Sequence, residues 1–368
     1  MPIYMDRHNV SEAITAEHVA QLHQEDLKIQ HQFGCRVLTY WFDDSRKTAF
    51  CLVDAANAGA IEKMHNTAHG QVPHRIIEVN AKVVESFLGR IEDPQKAEDT
   101  ELNIINDPAF RSIMVAEINS LPLPDKTSGQ FKTSLLKFNN AILTTLDEFG
   151  GNTVKHVENY FLVSFKSVSN SVHAALAIRT LFNNLRKETK DHEIHFKIGL
   201  NAGAPVTDKK LIFEDTIKLA QRMCTAVKGD IVVSSEVKDL YNSENPHLIK
   251  EKKDIVVVSQ MDEEFLSRLM DYIESNWSDP GVQVENICRS LGYSKSRLYR
   301  KIMELTARSL NTFIKDYRLG EALKLLNKSK GNISEIAFET GFSSPSYFSK
   351  CFQKKFGLHP SAYLKKAG

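Results

Sequence analysis

Three regimes of hydrophobic patterning follow one another along this chain. Over residues 1–80, strand-like and helix-like stretches alternate. PIYMDR reads as a strand, and TAEHVAQLHQEDLKIQHQF places Val19, Leu22, Leu27, Ile29 and Phe33 at helical spacing. RVLTYWF and TAFCLVD are strand-like and flank the turn DDSRK. AGAIEKMHNTAH reads as a helix and RIIEV as a last strand. A short helix, VVESFLGRI, leads into the polar run EDPQKAEDTELN, so residues 81–107 are expected to be a linker. Residues 108–258 mix strands and helices again. A second joint falls near SQMDEEF, and from Met261 to the end the pattern is almost purely helical. The expected architecture is multidomain: α+β over 1–80, α/β over 108–258 and all-α over 261–368.

Length and composition agree with two or three soluble globular domains. There is no apolar run long enough for a transmembrane helix, and MPIYMDRHNV lacks the basic and apolar regions of a secretory signal. Cys35, Cys51, Cys224, Cys288 and Cys351 are odd in number and scattered, which fits a reducing compartment; a cytoplasmic protein with no membrane partner is expected. Charge changes the picture more. The net charge of +1 conceals residues 281–368, with 16 Lys and Arg against 6 Asp and Glu, beside a remainder with 31 against 40. A basic module on an acidic body points to nucleic acid or an anionic surface.

Within the basic end, ENICRSLGYSKSRLYRKI and EIAFETGFSSPSYFSKCF repeat one pattern. Ile287, Gly292, Tyr293 and Ser294 match Ile336, Gly341, Phe342 and Ser343; Leu298, Arg300 and Ile302 match Phe348, Lys350 and Phe352 one residue further on. Each copy reads as helix, glycine-closed turn and serine-capped helix, a helix-turn-helix whose second helix enters the major groove. SLNTFIKDYRLGEALKLLNKS contains no proline and is expected to form one helix joining the copies. On the first recognition helix Leu298 and Ile302 face inward, leaving Ser296, Arg297, Tyr299 and Arg300 outward. On the second, Phe348 and Phe352 pack, and Tyr347 partly so, leaving Ser344, Ser346, Ser349 and Lys350 available to bases. Arg and Lys can donate to guanine, and Ser to several bases. Lys301, Lys354 and Lys355 are assigned to phosphates. A plain helical bundle with solvated lysines is the competing reading.

RLGEALKLL and GFSSPSYFSKCFQKKFGLHPSAY resemble the most characteristic strings of the AraC/XylS transcription regulators. The resemblance covers about 261–368 and implies two DNA-reading units with an attached regulatory part. Thr306–Ala307–Arg308–Ser309 departs from that family's Gly-x-Ser-Pro, a change expected to affect only a turn.

In the middle, RSIMVAEIN, TVKHVENYFLVSF, HFKIGLNAGAPV, EDTIKLAQRM and DIVVSSEV resemble, in order, elements of the class III nucleotidyl cyclases, whose fold has a ferredoxin-like core. Cyclization uses two metals held by two aspartates. The resemblance puts Glu117 and Asn159 at those positions, Glu158 at a turn glycine, Lys218 at an asparagine, Arg222 at the transition-state arginine and Lys155 at a purine-contacting lysine. Loss of an anionic ligand argues against turnover. The expectation is a non-enzymatic pseudo-cyclase used for dimerisation or for binding a small-molecule or nucleotide effector. The alternative is a working cyclase coupled to DNA binding. Arg222 is read equally as a retained ligand contact or a surface arginine.

At the N-terminus the order βαββαβ is the ferredoxin-like motif. YMDRH, HQEDLKIQHQFG, TYWFDD, FCLVDA and MHNTAHG resemble the DUF4242 family, one group of which is nickel-binding. His65 and His69, at i and i+4 on one helix face, with His8 and His23, are the candidates for a divalent metal. The competing reading makes them surface or packed groups. Cys51, in mid-strand, is read as core rather than ligand. Both N-terminal folds resemble families that dimerise, so a homodimer is expected.

Overall fold

The computed structural model describes residues 1–95, 101–120, 129–189, 194–245, 254–328 and 331–367. Residues 96–100 of the expected linker lie outside these.

The N-terminal elements are β1 (Ile3–Asn9), α1 (Ala16–Ile29), β2 (Arg36–Asp43), β3 (Thr48–Asp54), α2 (Ala58–Ala68) and β4 (Arg75–Val79). They form a sheet in the order β2-β3-β1-β4 with every neighbouring pair antiparallel, as the ferredoxin-like order requires. Thr15 and Asn57 cap α1 and α2 through their side-chain oxygens. The period of two in the strands explains why both sheet faces are buried. Tyr40, Phe42, Cys51 and Val53 pack with Val19, Ile61 and Met64 under the helices. Trp41, Phe50 and Leu52, pointing the opposite way, pack with Ile113, Val115, Leu162 and Ala220 of the middle segment.

The expected linker begins with α3 (Ala81–Leu88), whose Val84, Phe87 and Leu88 enter that same cluster. The described residues beyond it are tied down rather than free. The Tyr40 hydroxyl donates to the Asn103 carbonyl (2.9 Å) and accepts from the Ile105 amide (2.8 Å). The Arg90 guanidinium lies over the Trp41 ring. Polarity suggested a linker, and backbone groups and one aromatic ring hold its described residues in place.

The middle segment contains β5 (Arg111–Ser120), α4 (Gly129–Glu148), β6 (Gly151–Val157), β7 (Tyr160–Phe165), α5 (Val168–Thr189), β8 (Ile194–Gly203), α6 (Glu214–Ala226), β9 (Ile231–Val233), α7 (Ser235–Glu244) and β10 (Ile255–Val257). The sheet order is β10-β9-β8-β5-β7-β6. Each element predicted from the cyclase resemblance is present in that order. Met114, Ala116 and Ile118 on β5 meet Phe138, Ile142 and Ile178 of α4 and α5. Arg111 is 1% exposed, and its guanidinium donates to the carbonyls of Phe87 (3.2 Å), Leu88 (3.2 Å), Pro108 (2.5 Å) and Phe110 (2.9 Å), closing the end of α3.

The helical end comprises α8 (Gln260–Asn276), α9 (Val284–Leu291), α10 (Lys295–Thr306), α11 (Leu310–Asn327), α12 (Ile333–Glu339), α13 (Pro345–Phe356) and α14 (Pro360–Ala367). The joining helix forms as one piece, α11. Its Leu310, Phe313 and Ile314 belong to the core of the first unit, and its Leu319, Ala322 and Leu326 to the core of the second. The first core also takes in Met223, Ala226, Val227 and Val232 of the middle segment. No described helix is long and apolar enough to cross a membrane.

Candidate functional site

Both copies of the repeat fold as the glycines and serines predict. Gly292, at φ 74°, follows α9, and the Ser294 hydroxyl caps α10 by accepting from the Arg297 amide. Gly341, also at φ 74°, follows α12; a Cβ there would lie 2.8 Å from the Trp277 carbonyl oxygen. The second cap is Ser344 rather than the aligned Ser343, which accounts for the one-residue shift between the copies. The Ser344 hydroxyl therefore accepts from the Tyr347 amide (3.4 Å) and keeps its own proton to donate.

Leu298, Ile302, Phe348 and Phe352 are fully buried. Ser296, Arg297, Arg300, Ser346, Tyr347, Lys350 and Lys354 are exposed, whereas Tyr299 is half-buried against the first core. The Arg297 guanidinium rests 4.6 Å from the Tyr293 ring centroid. Two of the assigned lysines sit elsewhere than expected. Lys301 is paired with Asp262 on α8, and Lys355 donates to the Asp316 carbonyl (2.8 Å) on α11, where burial pushes its pKa down. Helical periodicity could not anticipate either acid. In the turn before α11, Ala307 is left-handed at φ 55° and Ser309 caps the helix. Arg308 adds something unforeseen: it pairs with Asp316 (3.4 Å) and donates to the Thr225 carbonyl of α6.

The six cyclase-like positions divide into two groups. Glu117 on β5 lies opposite Tyr160 and Lys197, and burial raises its pKa against the pull of Lys324 and Lys197. Asn159 accepts from the Asn139 amide (3.4 Å), and Glu158 holds the turn at φ 52°, left-handed where the resemblance has glycine. Lys155 is exposed, 5.9 Å from the Tyr160 ring centroid. Lys218 and Arg222, one turn apart on α6, face α8. Arg222, 5% exposed, donates to Glu274 (3.2 and 2.7 Å), Asp271 (2.5 Å) and the Ser267 carbonyl (3.1 Å). Lys218 lies 3.3 Å from Asp271. Arg222 is thus neither of the two things expected of it: it is a buried ion-pair partner of the helical end.

At the N-terminus, three of the four candidate histidines converge. Asp6, His8, Cys51 and His65 offer ligand atoms within 4.8 Å of one another, as do Asp26, His65 and His69. His23 lies apart, bonded to Asp93 (2.9 Å) and against Tyr40. Sequence reasoning missed Asp6 and Asp26; Cys51 is the core residue that its strand position predicts, and its sulfur also lies within the cluster. The signal for Asp6 was there, since positions 6 and 8 of one strand share a face. His65 is held by Asp26 at Nδ1 (3.1 Å) and Asp6 at Nε2 (3.0 Å). Burial alone would lower its pKa, but the two carboxylates push it up to about 10. Burial likewise opposes the Asp6 carboxylate, yet His8 and His65 hold it well below its usual range. Burial drives the Cys51 thiol up, and its backbone amide donates to Asp6 (2.9 Å). His8 Nε2 is buried without a hydrogen bond, 3.3 Å from Asp6.

A pH dependence follows. His65 is raised above 6.5, so its contribution to stability is complete below about pH 6.5 and lost as pH rises through about 10. Asp6 works the other way: its contribution is present above 3.8 and lost on acidification. Metal-free protein is expected to melt at progressively lower temperature between pH 6.5 and 10, and His65→Gln should flatten that slope. A wild-type slope no steeper than that of the variant would refute the charged pair.

Two family descriptions match the chain: "Helix-turn-helix domain" over residues 287–366 and "Nickel responsive protein SCO4226-like" over residues 4–79. Among curated relatives, "Histidine kinase P4" of Formosa agariphila is 41% identical over 111 residues, which is 30% of this chain and 8% of that protein. The "Lactose operon transcription activator" of Staphylococcus xylosus is 26% identical over 163 residues, 44% of this chain and 56% of that one. This chain therefore spans only part of each. Among solved structures, the adenylyl cyclase CyaB from P. aeruginosa aligns at 17% identity and a TM-score of 0.32, over 36% of this chain and 81% of that one. The C-terminal segment of the chain is a helix-turn-helix domain of the AraC type, and its N-terminal segment is an SCO4226-like domain.

Proposed function

We propose that the chain is a sequence-specific, DNA-binding regulator of transcription whose N-terminal and middle segments sense a ligand. The observation that carries this is the pair of serine-capped helices, α10 and α13, rooted on one connecting helix with Arg297, Arg300, Ser346 and Lys350 turned outward. A single turn of B-DNA, about 34 Å, separates successive major-groove faces, and two such helices can meet them together. Footprinting on the DNA upstream of the chain's own coding sequence should give protection over about two helical turns per protomer. Binding that is absent, or indifferent to sequence, would refute the reading. The open face of the middle sheet is covered by Trp41, Phe50 and Leu52, so a homodimer would have to form elsewhere.

The middle segment is read as a non-catalytic relative of the cyclases. Asn159 is neutral where chemistry calls for an anionic metal ligand, and Arg222 is already bonded to two carboxylates of α8. Cyclic nucleotide formed from ATP or GTP with Mg²⁺ or Mn²⁺, and lost in Glu117→Ala, would overturn this.

The N-terminal cluster fits a divalent metal of the nickel or zinc class. Imidazole, thiolate and carboxylate donors suit such ions, and the buried His8 Nε2, whose nearest charged neighbour is Asp6 at 3.3 Å, is a ligand atom placed to join Asp6 at an ion. Uptake would displace protons from His65 and Cys51, so affinity should rise with pH. Adding Ni²⁺ should raise the melting temperature of the wild type and not of a His8→Ala, Cys51→Ser double variant; equal responses would exclude this site.

A further inference from the structure

A groove of about 280 Å³ runs between the two helix-turn-helix units; none of the residues assigned above to bases lines it, and Tyr347, read above as partly packed, stands at its rim. One wall is the first two turns of α11. The other is the turn of the second unit, Gly341 to Ser343, with Tyr347 from the first turn of α13. Pro280, in the loop just before α9, closes one end. In a helix-turn-helix the first helix crosses the sugar-phosphate backbone and the second enters the major groove. A groove bounded by the approach to α9 and the start of α13 therefore lies where the backbone passes between one major-groove face and the next.

Its chemistry agrees with that path. None of the described lining residues is acidic. Lys301, Lys324 and Lys355 of the same helical end each have a carboxylate within 4.0 Å, whereas Lys315 has none among the described residues. Arg318 is fixed by the carbonyls of Trp277 (2.7 Å) and Asp279 (2.6 Å), which orient its guanidinium without neutralising it. The Thr312 hydroxyl accepts from Ser309 (2.9 Å), leaving its own proton free to donate, and Tyr347 is 53% exposed. The groove thus presents Lys315 without a carboxylate partner, Arg318 with the Asp279 charge nearby, and neutral hydroxyl donors.

Resting on the DNA-binding reading, the geometry points to this groove as a phosphate-backbone site. Lys315 supplies the ion pair, and Thr312 and Tyr347 donate hydrogen bonds to the same stretch of backbone. Such a contact sets the spacing of the two recognition helices along the duplex and carries no sequence information of its own.

The test is fluorescence anisotropy of the full chain on two duplexes at several salt concentrations. One duplex is selected by the chain from a random-sequence pool, and the other is poly(dI-dC). Lys315→Ala should reduce the slope of log K against log salt by about one and weaken both duplexes by the same factor, leaving their ratio unchanged. Lys315→Arg should keep the wild-type slope, which guards against a folding effect. An unchanged slope in Lys315→Ala, or a loss confined to the selected duplex, overturns the proposal while leaving the DNA-binding reading intact. A wild-type chain that binds neither duplex overturns both.

Discussion

Arg300→Ala is expected to weaken binding to the preferred site by about 1–3 kcal/mol and to relax the base preference at one position. The size follows from a bidentate arginine contact to guanine, in which two hydrogen bonds are lost at once. The structure makes this a clean test. The Arg300 side chain is 74% exposed, and its nearest acid is Glu304, 4.0 Å away at i+4. Such an exposed pair contributes little, and alanine is the stronger helix former, so folding should change by no more than about 0.5 kcal/mol. Competition binding against a panel of single-base variants separates the two effects. If affinity falls by one factor on every duplex of the panel, Arg300 contacts phosphate rather than base.

Arg111→Ala should have the largest effect on stability, about 2–5 kcal/mol, from lost buried hydrogen bonds and the cavity left behind. Four carbonyl oxygens converge on this guanidinium, and the side chain is 1% exposed. Burial pushes its pKa down to about 10, with Asp107 pulling the other way, so the arginine remains charged at neutral pH. Alanine would remove this donor from the Leu88, Pro108 and Phe110 carbonyls, while the Phe87 carbonyl would keep the Ser164 hydroxyl (2.8 Å), and it would open a void between α3 and β5. Lysine cannot substitute, because a single ammonium does not span four acceptors in that fixed arrangement. Urea unfolding followed by intrinsic fluorescence is the measurement. Two tryptophans are present, and Trp41 lies in the same cluster as Phe87. An Arg111→Ala midpoint within error of the wild type would mean that α3 is held by packing alone. Because the residue lies far from α10 and α13 in sequence and touches neither, sequence preference in DNA binding should be retained under folding conditions.

The two variants mark how differently parts of this molecule can be read. Arg300 was legible from periodicity: its neighbours Leu298 and Ile302 take the buried face, and the outward position follows from 3.6 residues per turn. The caps, the glycine turns and the single helix α11 were legible for the same reason, since each depends on residues within a few positions. Arg111 was not legible. Nothing near it in sequence announces that the end of α3 will lie against its guanidinium.

The charged groups divide along this line. Composition alone established a basic end on an acidic body, and motif spacing established two reading helices. Which cations are free was decided only by the fold. Lys301 meets Asp262, Lys355 meets Asp316, and Arg222 meets Asp271 and Glu274, while Lys354 and Lys315 have no carboxylate partner among the described residues and Arg300 has only the exposed Glu304 at 4.0 Å. The histidines behave likewise: spacing paired His65 with His69, but only the sheet brought Asp6, His8 and Cys51 to the same point and sent His23 to Asp93. Helix periods, strand alternation and caps arise from short-range sterics and hydrogen bonds, so the sequence by itself determined them. Ion pairs and ligand clusters require side chains distant in sequence to come within a few ångströms, and that placement is created by tertiary packing.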